Sequence, residues 1–215
     1  MAAGEHAASA VDRVTTALRE AILEGEPAAG ARLVEQRLAD EQAAARHTVR
    51  AALRALAGEG LVVLEPHRGA RVARLDEPAV LALYQLRTAL EVEAARLALH
   101  RHGGRLPAAV HAAAEELAAV CREPGARWAD VTALHGAVHH AIVAAARSPR
   151  IERAHAALEA ETRLFLLQIR PAWPLERLAD DHLALIAGLE TDGPDVLRAH
   201  LRASAAELVD AADLA

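Results

Sequence analysis

The chain has 215 residues, 53% of them hydrophobic, which is enough to bury one or two cores. Its net charge of -6 and pI near 6.1 exclude a uniformly basic nucleic-acid-binding protein, so a DNA-binding surface requires local clustering of arginines. The single cysteine, Cys121, excludes an intramolecular disulfide. Together with the absence of an 18-residue apolar run and of a signal-peptide pattern, it favours a cytoplasmic protein without a membrane partner.

The first 75 residues have the pattern of a small mixed domain. From its beginning, the sequence predicts a tail at 1–10, a helix at 11–23, a short strand at 32–34 and a helix at 35–42. A third helix from Ala45 ends at Gly58 and Gly60, and apolar runs at 61–65 and 70–75 flank a turn. This order of elements is typical of a winged helix-turn-helix domain.

The third helix carries arginines on a different side from its apolar residues. Arg46 and Arg50 are four residues apart, so both project from one side, and each can donate two hydrogen bonds to a phosphate or a guanine edge. In the turn between the strands, Gly69 lets the backbone approach a sugar-phosphate rim closely. An ordinary solvated basic face is the alternative interpretation of the charge pattern.

Beyond Asp76, which is placed to cap a helix, no segment has the pattern of a strand. Six amphipathic segments separated by Pro or Gly predict helices at 77–102, 107–122, 128–147, 150–170, 174–190 and 194–214. We therefore expect a mainly α protein with two domains: a winged helix-turn-helix at 11–75 and an all-α antiparallel helical bundle at 76–215.

Histidines are the residues of the predicted bundle that could carry chemistry. His135 and His139 are four residues apart on one helix, a spacing at which two imidazoles can share a metal ion. His182 lies among apolar residues of a later helix and could add a third ligand. Histidines that are buried or exposed without a metal are the alternative.

Three segments, LREAILEGEPAAGARL, EQRLADEQAAARHTVRAALRAL and EGLVVLEPHRGARV, resemble in order the amino-terminal pattern of the GntR family of bacterial transcription regulators. The bundle is similar to the FCD effector domain of the FadR-type subgroup. The resemblance implies DNA contacts from α-helical residues and from the turn of the hairpin, namely Arg46, Arg50, His47, Thr48, Gln36, Arg37, His67, Arg68 and Gly69. Ala43 and Ala45 replace a glycine and a serine that are usual in the family.

Metal-binding members of the subgroup carry an aspartate and a histidine four residues apart, and then two later histidines. The resemblance places His135 and His139 on the first pair, with histidine in place of aspartate, and His182 on the next ligand. Ser204 falls on the last ligand position, and His200 precedes it by one turn. Three alternatives stay open: His200 replaces the last ligand, three histidines leave a position for water or an effector carboxylate, or the metal is lost.

The predicted function is a homodimeric, ligand-responsive transcriptional repressor that binds a short inverted repeat of double-stranded DNA. Imidazole ligands favour zinc or nickel over manganese. The resemblance makes Arg87 a contact for a small organic acid, although a salt bridge with Glu91 is the alternative, and Ser204 becomes a second effector contact. A DNA-binding protein without an effector is a further alternative. A metal-dependent hydrolase is a remote one, because no general base or catalytic motif accompanies the histidines, so we do not expect an enzyme.

Overall fold

The computed structural model describes residues 9–66, 68–74, 76–169 and 174–212, and the chain divides into two compact units, Met1–Arg74 and Leu75–Ala215. The first unit contains three helices and three strands in the described part of the chain. They are α1 (Ala10–Glu24), β1 (Arg32–Leu33), α2 (Glu35–Glu41), α3 (Arg46–Gly58), β2 (Val62–Glu65) and β3 (Gly69–Val72).

Local signals explain where α1 begins and ends. Ser9 accepts a hydrogen bond from the backbone N–H of Asp12, and the Asp12 side chain accepts from the backbone N–H of Ser9, which forms a capping box. Gly25 ends the helix in the left-handed conformation, at φ 91°. Most of the predicted tail at 1–10 lies outside the described residues.

The turn between α2 and α3 is made without the residues that usually favour it. Ala43 has a positive φ of 47°, a conformation that favours glycine, and Ala45 precedes α3 without a side-chain cap. Packing therefore has to hold this turn. The buried residues of the unit come from all three helices and the sheet, and include Val14, Leu18, Ile22, Leu38, Val49, Leu53, Leu56 and Val72.

The three strands form an antiparallel sheet in the order β1-β3-β2. Val62 pairs with Val72 across β2 and β3, and Leu33 pairs with Ala70 across β1 and β3. Gly69 begins β3 with φ 91°. A hairpin that follows the second helix of a helix-turn-helix is a wing, so the predicted winged helix-turn-helix is confirmed.

Every regular element in the described residues of the second unit is a helix. Its helices are α4 (Glu77–Arg101), α5 (Ala108–Cys121), α6 (Trp128–Ala145), α7 (Pro149–Ala156), α8 (Glu159–Gln168), α9 (Leu175–Thr191) and α10 (Asp195–Ala212). As expected, Asp76 caps α4 by accepting the backbone N–H of Ala79 at 2.8 Å. The prediction of a single helix at 150–170 is wrong: a turn at 157–158 separates α7 from α8, and no Gly or Pro in the sequence marks it.

One apolar core holds the bundle together, and it surrounds a small polar interior. Leu and Val side chains from most of the helices meet in this core, with Phe165, Leu117, Ile142, Leu189, Leu197, Leu201 and Leu208 almost fully buried. The polar residues buried beside it are mainly histidines, one arginine and one glutamate. None of the described helices is both long and apolar enough to cross a lipid bilayer.

Candidate functional site

Four histidine rings from three helices meet inside the bundle. The ring centroids of His135 and His139 on α6 lie 4.8 Å apart, and that of His135 lies 4.8 Å from that of His182 on α9. The ring of His200 on α10 lies 4.8 Å from that of His182 and 5.5 Å from that of His139. The structure therefore brings together the four histidines that the sequence offered as candidate metal ligands.

Hydrogen bonds orient two of these rings. Nδ1 of His139 lies 2.7 Å from Oε2 of Glu91, and Nδ1 of His182 lies 2.8 Å from the backbone oxygen of Leu178. Because a carboxylate or carbonyl oxygen can only accept, the proton of each neutral ring is on Nδ1 and the lone pair is on Nε2. A metal-binding histidine usually donates such a hydrogen bond from the ring nitrogen that does not bind the metal.

Four of the six remaining nitrogens of the cluster are buried without a hydrogen-bond partner among the described residues. They are Nε2 of His139, His182 and His200 and Nδ1 of His135. Buried polar atoms are normally satisfied, so four unpaired nitrogens in one cluster make it a candidate metal-binding site. One ligand atom from each of His135, His139 and His182 lies within 4.8 Å of the others.

The donor set fits a divalent transition metal. Tetrahedral zinc is bound by imidazole nitrogens at about 2.0–2.1 Å, and the three histidines supply ligand atoms within 4.8 Å of one another. Imidazole donors without a carboxylate suit zinc or nickel better than manganese. Ser204, the other residue considered for the last position, is buried one turn beyond His200 on α10.

Burial keeps the imidazoles of the cluster unprotonated, as histidine ligands of a metal must be. Burial lowers the pKa of His182 to about 3, and the neighbouring His139 adds to that effect. Burial also holds the pKa of His135 and of His200 well below the usual value. For His139, burial lowers the pKa and the Glu91 carboxylate opposes this in part.

Glu91 connects this cluster to Arg87. Its Oε1 accepts from Nε of Arg87 at 2.7 Å and lies 3.2 Å from Nε2 of His155, while its Oε2 contacts His139. Burial alone would raise the pKa of Glu91, but the charge of Arg87 and then His139 hold it well below its usual value. The guanidinium of Arg87 also lies over the ring of Tyr84, at 4.7 Å. The alternative of a salt bridge between Arg87 and Glu91 is thus what the structure shows, although the pair is buried.

Sequence reasoning missed two members of this network. Glu91 was considered only as a surface partner of Arg87, and His155 was not singled out. The spacing of Arg87 and Glu91 by four residues on an inward face was the available signal for Glu91. Arg87, His135, His139 and His155 line a cavity of about 10 Å³, which has room for no more than a water-sized molecule.

The proposed DNA-contacting residues of α3 divide into exposed and buried ones. Arg46, His47 and Arg50 are exposed, whereas Thr48 is 6% exposed and packs into the core of the unit. A DNA contact from the Thr48 side chain therefore has no exposed group to support it. Both arginines approach Glu35, the first residue of α2.

The other expected contacts lie on α2 and in the wing. Gln36 donates to Asp40 at 3.0 Å, and Arg37 pairs with Glu41 at 3.3 Å, so both are exposed but have partners within α2. In the wing, Arg68 and Gly69 are exposed. His67, the remaining expected contact, lies outside the described residues.

Comparison with known proteins gives the same assignment for both units. The profile described as bacterial regulatory proteins, gntR family, matches residues 10–72, and that of the FCD domain matches residues 82–207. The "Probable D-xylose utilization operon transcriptional repressor" of Paenarthrobacter nicotinovorans is 30% identical over 178 residues, which are 81% of this chain and 76% of that protein.

Solved structures of similar proteins cover nearly the whole chain. A GntR transcriptional regulator from Rhodococcus sp. RHA1 has a TM-score of 0.73 at 27% identity and covers 94% of this chain and 99% of its own. E. coli McbR/YncC has a TM-score of 0.72 at 18% identity over 95% of this chain and 99% of its own, which shows the fold alone. The families and relatives are transcription regulators and not enzymes. The chain is therefore a transcriptional regulator that belongs to the GntR family, with an FCD domain as its second unit.

Proposed function

We propose that the protein is a repressor that binds a short inverted repeat of DNA as a homodimer and releases it when a small organic acid binds in the FCD domain. A divalent metal held by His135, His139, His182 and His200 is part of that effector site. The Paenarthrobacter nicotinovorans relative is named as a transcriptional repressor, which supports the proposal that this protein represses transcription. We define the effector only by its chemical class: it carries a carboxylate that a metal ion and an arginine can bind.

The DNA-binding part of the proposal is based on α3 and the wing. Arg46, His47 and Arg50 lie on the exposed side of α3, and Arg68 lies beside Gly69 at the wing tip. A helix with exposed arginines suits the major groove, and a basic wing suits the backbone at its edge. Gln36 and Arg37 are secondary candidates at α2.

The effector part is based on the buried cluster and Arg87. A bound zinc or nickel ion would supply a Lewis-acid centre that a carboxylate oxygen can ligate. Arg87 lies next to the cluster and lines the same cavity, so it can donate to the second carboxylate oxygen. Ser204, buried on α10, is the proposed neutral hydrogen-bonding group of the site.

The small size of the cavity links effector binding to a change of the bundle. An organic acid of several heavy atoms does not fit into about 10 Å³, so the helices around Arg87 must move apart when it binds. A ligand that favours one arrangement of the FCD domain shifts the protein toward it, and DNA binding that favours the other is weakened by the same factor, about 5- to 150-fold in ordinary couplings.

The unpaired nitrogens of His135, His139, His182 and His200 are the single observation that carries the metal proposal. Its test is the metal content per chain of untagged protein, measured by elemental mass spectrometry. We expect about one equivalent in the wild type and in His140→Ala, and none in His139→Ala. His140 is the matched control because it is the next histidine on α6, is partly exposed and lies 3.8 Å from Glu152. No metal in the wild type after growth with zinc and nickel would overturn the proposal.

A metal-dependent regulator without an organic effector is the second candidate, and the small volume of the cavity, about 10 Å³, favours it. Four nitrogen donors would complete a tetrahedral shell, as in structural zinc sites. Isothermal titration of metal-loaded protein with small mono- and dicarboxylates separates the two. Binding that is lost in Arg87→Gln supports the effector site, whereas no binding by any acid supports the metal-only regulator.

A further inference from the structure

The two arginines on the exposed side of α3 share one carboxylate from α2. Arg50 donates from Nε to Oε1 of Glu35 at 2.8 Å and from Nη2 to Oε2 at 2.7 Å. Nη2 of Arg46 lies 3.6 Å from the same Oε2. Glu35 and Arg50 are 15 residues apart in sequence, so the contact is a tertiary one between the two helices of the helix-turn-helix.

The contact leaves the guanidinium of Arg50 with donors for a second partner. A guanidinium has five N–H groups, and the pair with Glu35 uses Nε–H and one N–H of Nη2. The remaining N–H groups on Nη1 and Nη2 form a second fork, which matches O6 and N7 of guanine. Half of the Arg50 side chain is exposed, 50%. Arg50 can therefore contact a base without breaking its pair with Glu35.

We propose that Glu35 is a positioning residue for base recognition: it holds the side chain of Arg50 in the orientation that reads one guanine in the major groove. This inference rests on α3 being the DNA-reading helix, as proposed above. An arginine that is already held in place loses less conformational freedom when DNA binds. Its fork also meets one base geometry rather than several, which increases discrimination.

The looser contact of Arg46 gives that residue a different role. Its Nη2 lies 3.6 Å from Glu35, beyond hydrogen-bonding distance, and 60% of its side chain is exposed. A long, loosely held arginine at the start of α3 can turn to whichever phosphate lies within reach. Arg46 therefore contributes to affinity for any duplex, whereas Arg50 contributes to the choice of sequence.

The charge of Glu35 acts in the same direction. Its hydrogen bond to Arg50 lowers the pKa of Glu35, so the carboxylate is ionised at neutral pH. One negative charge beside two arginines reduces their attraction for phosphates, and this attraction supplies most non-specific binding. Glu35 thus weakens binding to unrelated DNA while it supports the contact that distinguishes the operator.

The test compares Glu35→Gln with a matched control, Glu59→Gln, in the full-length protein. Glu59 also holds an arginine through two hydrogen bonds, from Nε and Nη2 of Arg19 at 2.6 and 2.7 Å. Both glutamate side chains are 28% exposed, but Glu59 lies at the opposite end of α3. The two variants therefore lose the same charge and the same kind of ion pair.

The DNA probe is the tightest duplex that the wild-type protein selects from a random double-stranded library, together with versions in which each guanine is replaced in turn. For Glu35→Gln we expect the preference for one guanine to fall roughly fivefold to tenfold and binding to an unrelated duplex to tighten about twofold. Glu59→Gln should keep the wild-type preference. Equal changes of Glu35→Gln on all duplexes, or no change, overturn the inference.

Arg50→Ala separates this inference from the interface on which it rests. If Arg50→Ala loses the guanine preference and Glu35→Gln keeps it, α3 reads the DNA but Glu35 does not position Arg50, and the inference fails alone. If Arg50→Ala binds every duplex as the wild type does, the proposed α3 interface fails, and the inference fails with it. Loss of the same guanine preference in Arg50→Ala and Glu35→Gln supports both.

Discussion

Nδ1 of His139 lies 2.7 Å from Oε2 of Glu91, and the other oxygen of that carboxylate accepts a hydrogen bond from Arg87. The carboxylate of Glu91, which forms a buried ion pair with Arg87 within α4, thereby joins α4 to α6 and supports a candidate metal ligand. Such a carboxylate fixes both the orientation and the tautomer of the ring. The stability of the bundle and the geometry of the histidine cluster therefore depend on the same residue.

We expect Glu91→Gln to destabilise the bundle by about 3–5 kcal/mol, because it leaves the buried charge of Arg87 without a partner. Glu91 is 0% and Arg87 2% exposed, so water cannot replace the lost carboxylate. Urea denaturation of metal-free protein, followed by circular dichroism, measures the change in the free energy of unfolding. Glu93→Gln is the control, because it breaks an exposed pair with Arg96 on the same helix, and water screens such a pair so that its loss changes stability little. Equal stability of the two variants would contradict the role assigned to Glu91.

The metal-free protein should lose stability when the pH falls below the usual pKa of histidine. Burial lowers the pKa of folded His182 from 6.5 to about 3, so the unfolded chain binds the proton more readily between these values. The stabilisation is complete above pH 6.5 and decreases as the pH falls toward 3, by about 1.4 kcal/mol per pH unit for each such group. Between pH 6.5 and 5, His182 alone accounts for about 2 kcal/mol. Urea unfolding at pH 7 and pH 5 in the presence of a chelator measures this decrease in the free energy of unfolding. If His182→Gln lost as much stability between the two pH values as the wild type, the prediction would be wrong.

The winged domain and the positions of the histidines could be predicted because they depend on short-range patterns. The four-residue spacing of His135 and His139 predicts that both lie on one side of α6, and in the structure their rings are neighbours. The departures at Ala43 and Ala45 were also visible, and the structure shows what they mean: a strained turn and an uncapped helix. These features belong to single helices or to adjacent residues.

The contacts that the sequence did not reveal join residues that are far apart in the chain. Glu91 and His139 are separated by 48 residues, and Glu35 and Arg50 by 15. Each side chain has a plausible local partner, so charge patterns within one helix point to pairs such as Arg87 with Glu91 and no further. The packing of α4 against α6 and of α2 against α3 decides which carboxylate contacts which basic side chain. The hydrophobic periodicity of the sequence does not reveal that packing.

Replacing Ala43 by glycine should stabilise the first unit by about 1 kcal/mol, because a left-handed backbone is costly for a residue with a Cβ atom. Ala43 has a φ of 47° and is exposed, so the change removes strain and little contact. Thermal denaturation of the full-length protein measures the shift. The control is Ala44→Gly, at the next residue, which is not among those with positive φ. It should destabilise by about 0.4–1 kcal/mol, and stabilisation by both changes would show that strain at Ala43 is not the cause.

His200 and Ser204 are the two alternatives for the fourth group of the metal site. They are four residues apart on α10, so both face roughly the same side of the helix, but the hydroxyl of Ser204 is carried on a much shorter side chain than the imidazole of His200. The ring of His200 is the one that meets His182 and His139. We therefore expect His200→Ala to weaken zinc or nickel binding at least tenfold, measured by competition with a chromophoric chelator, and Ser204→Ala to leave it within about twofold. The reverse pattern would mean that Ser204, and not His200, supplies the fourth group of the metal site.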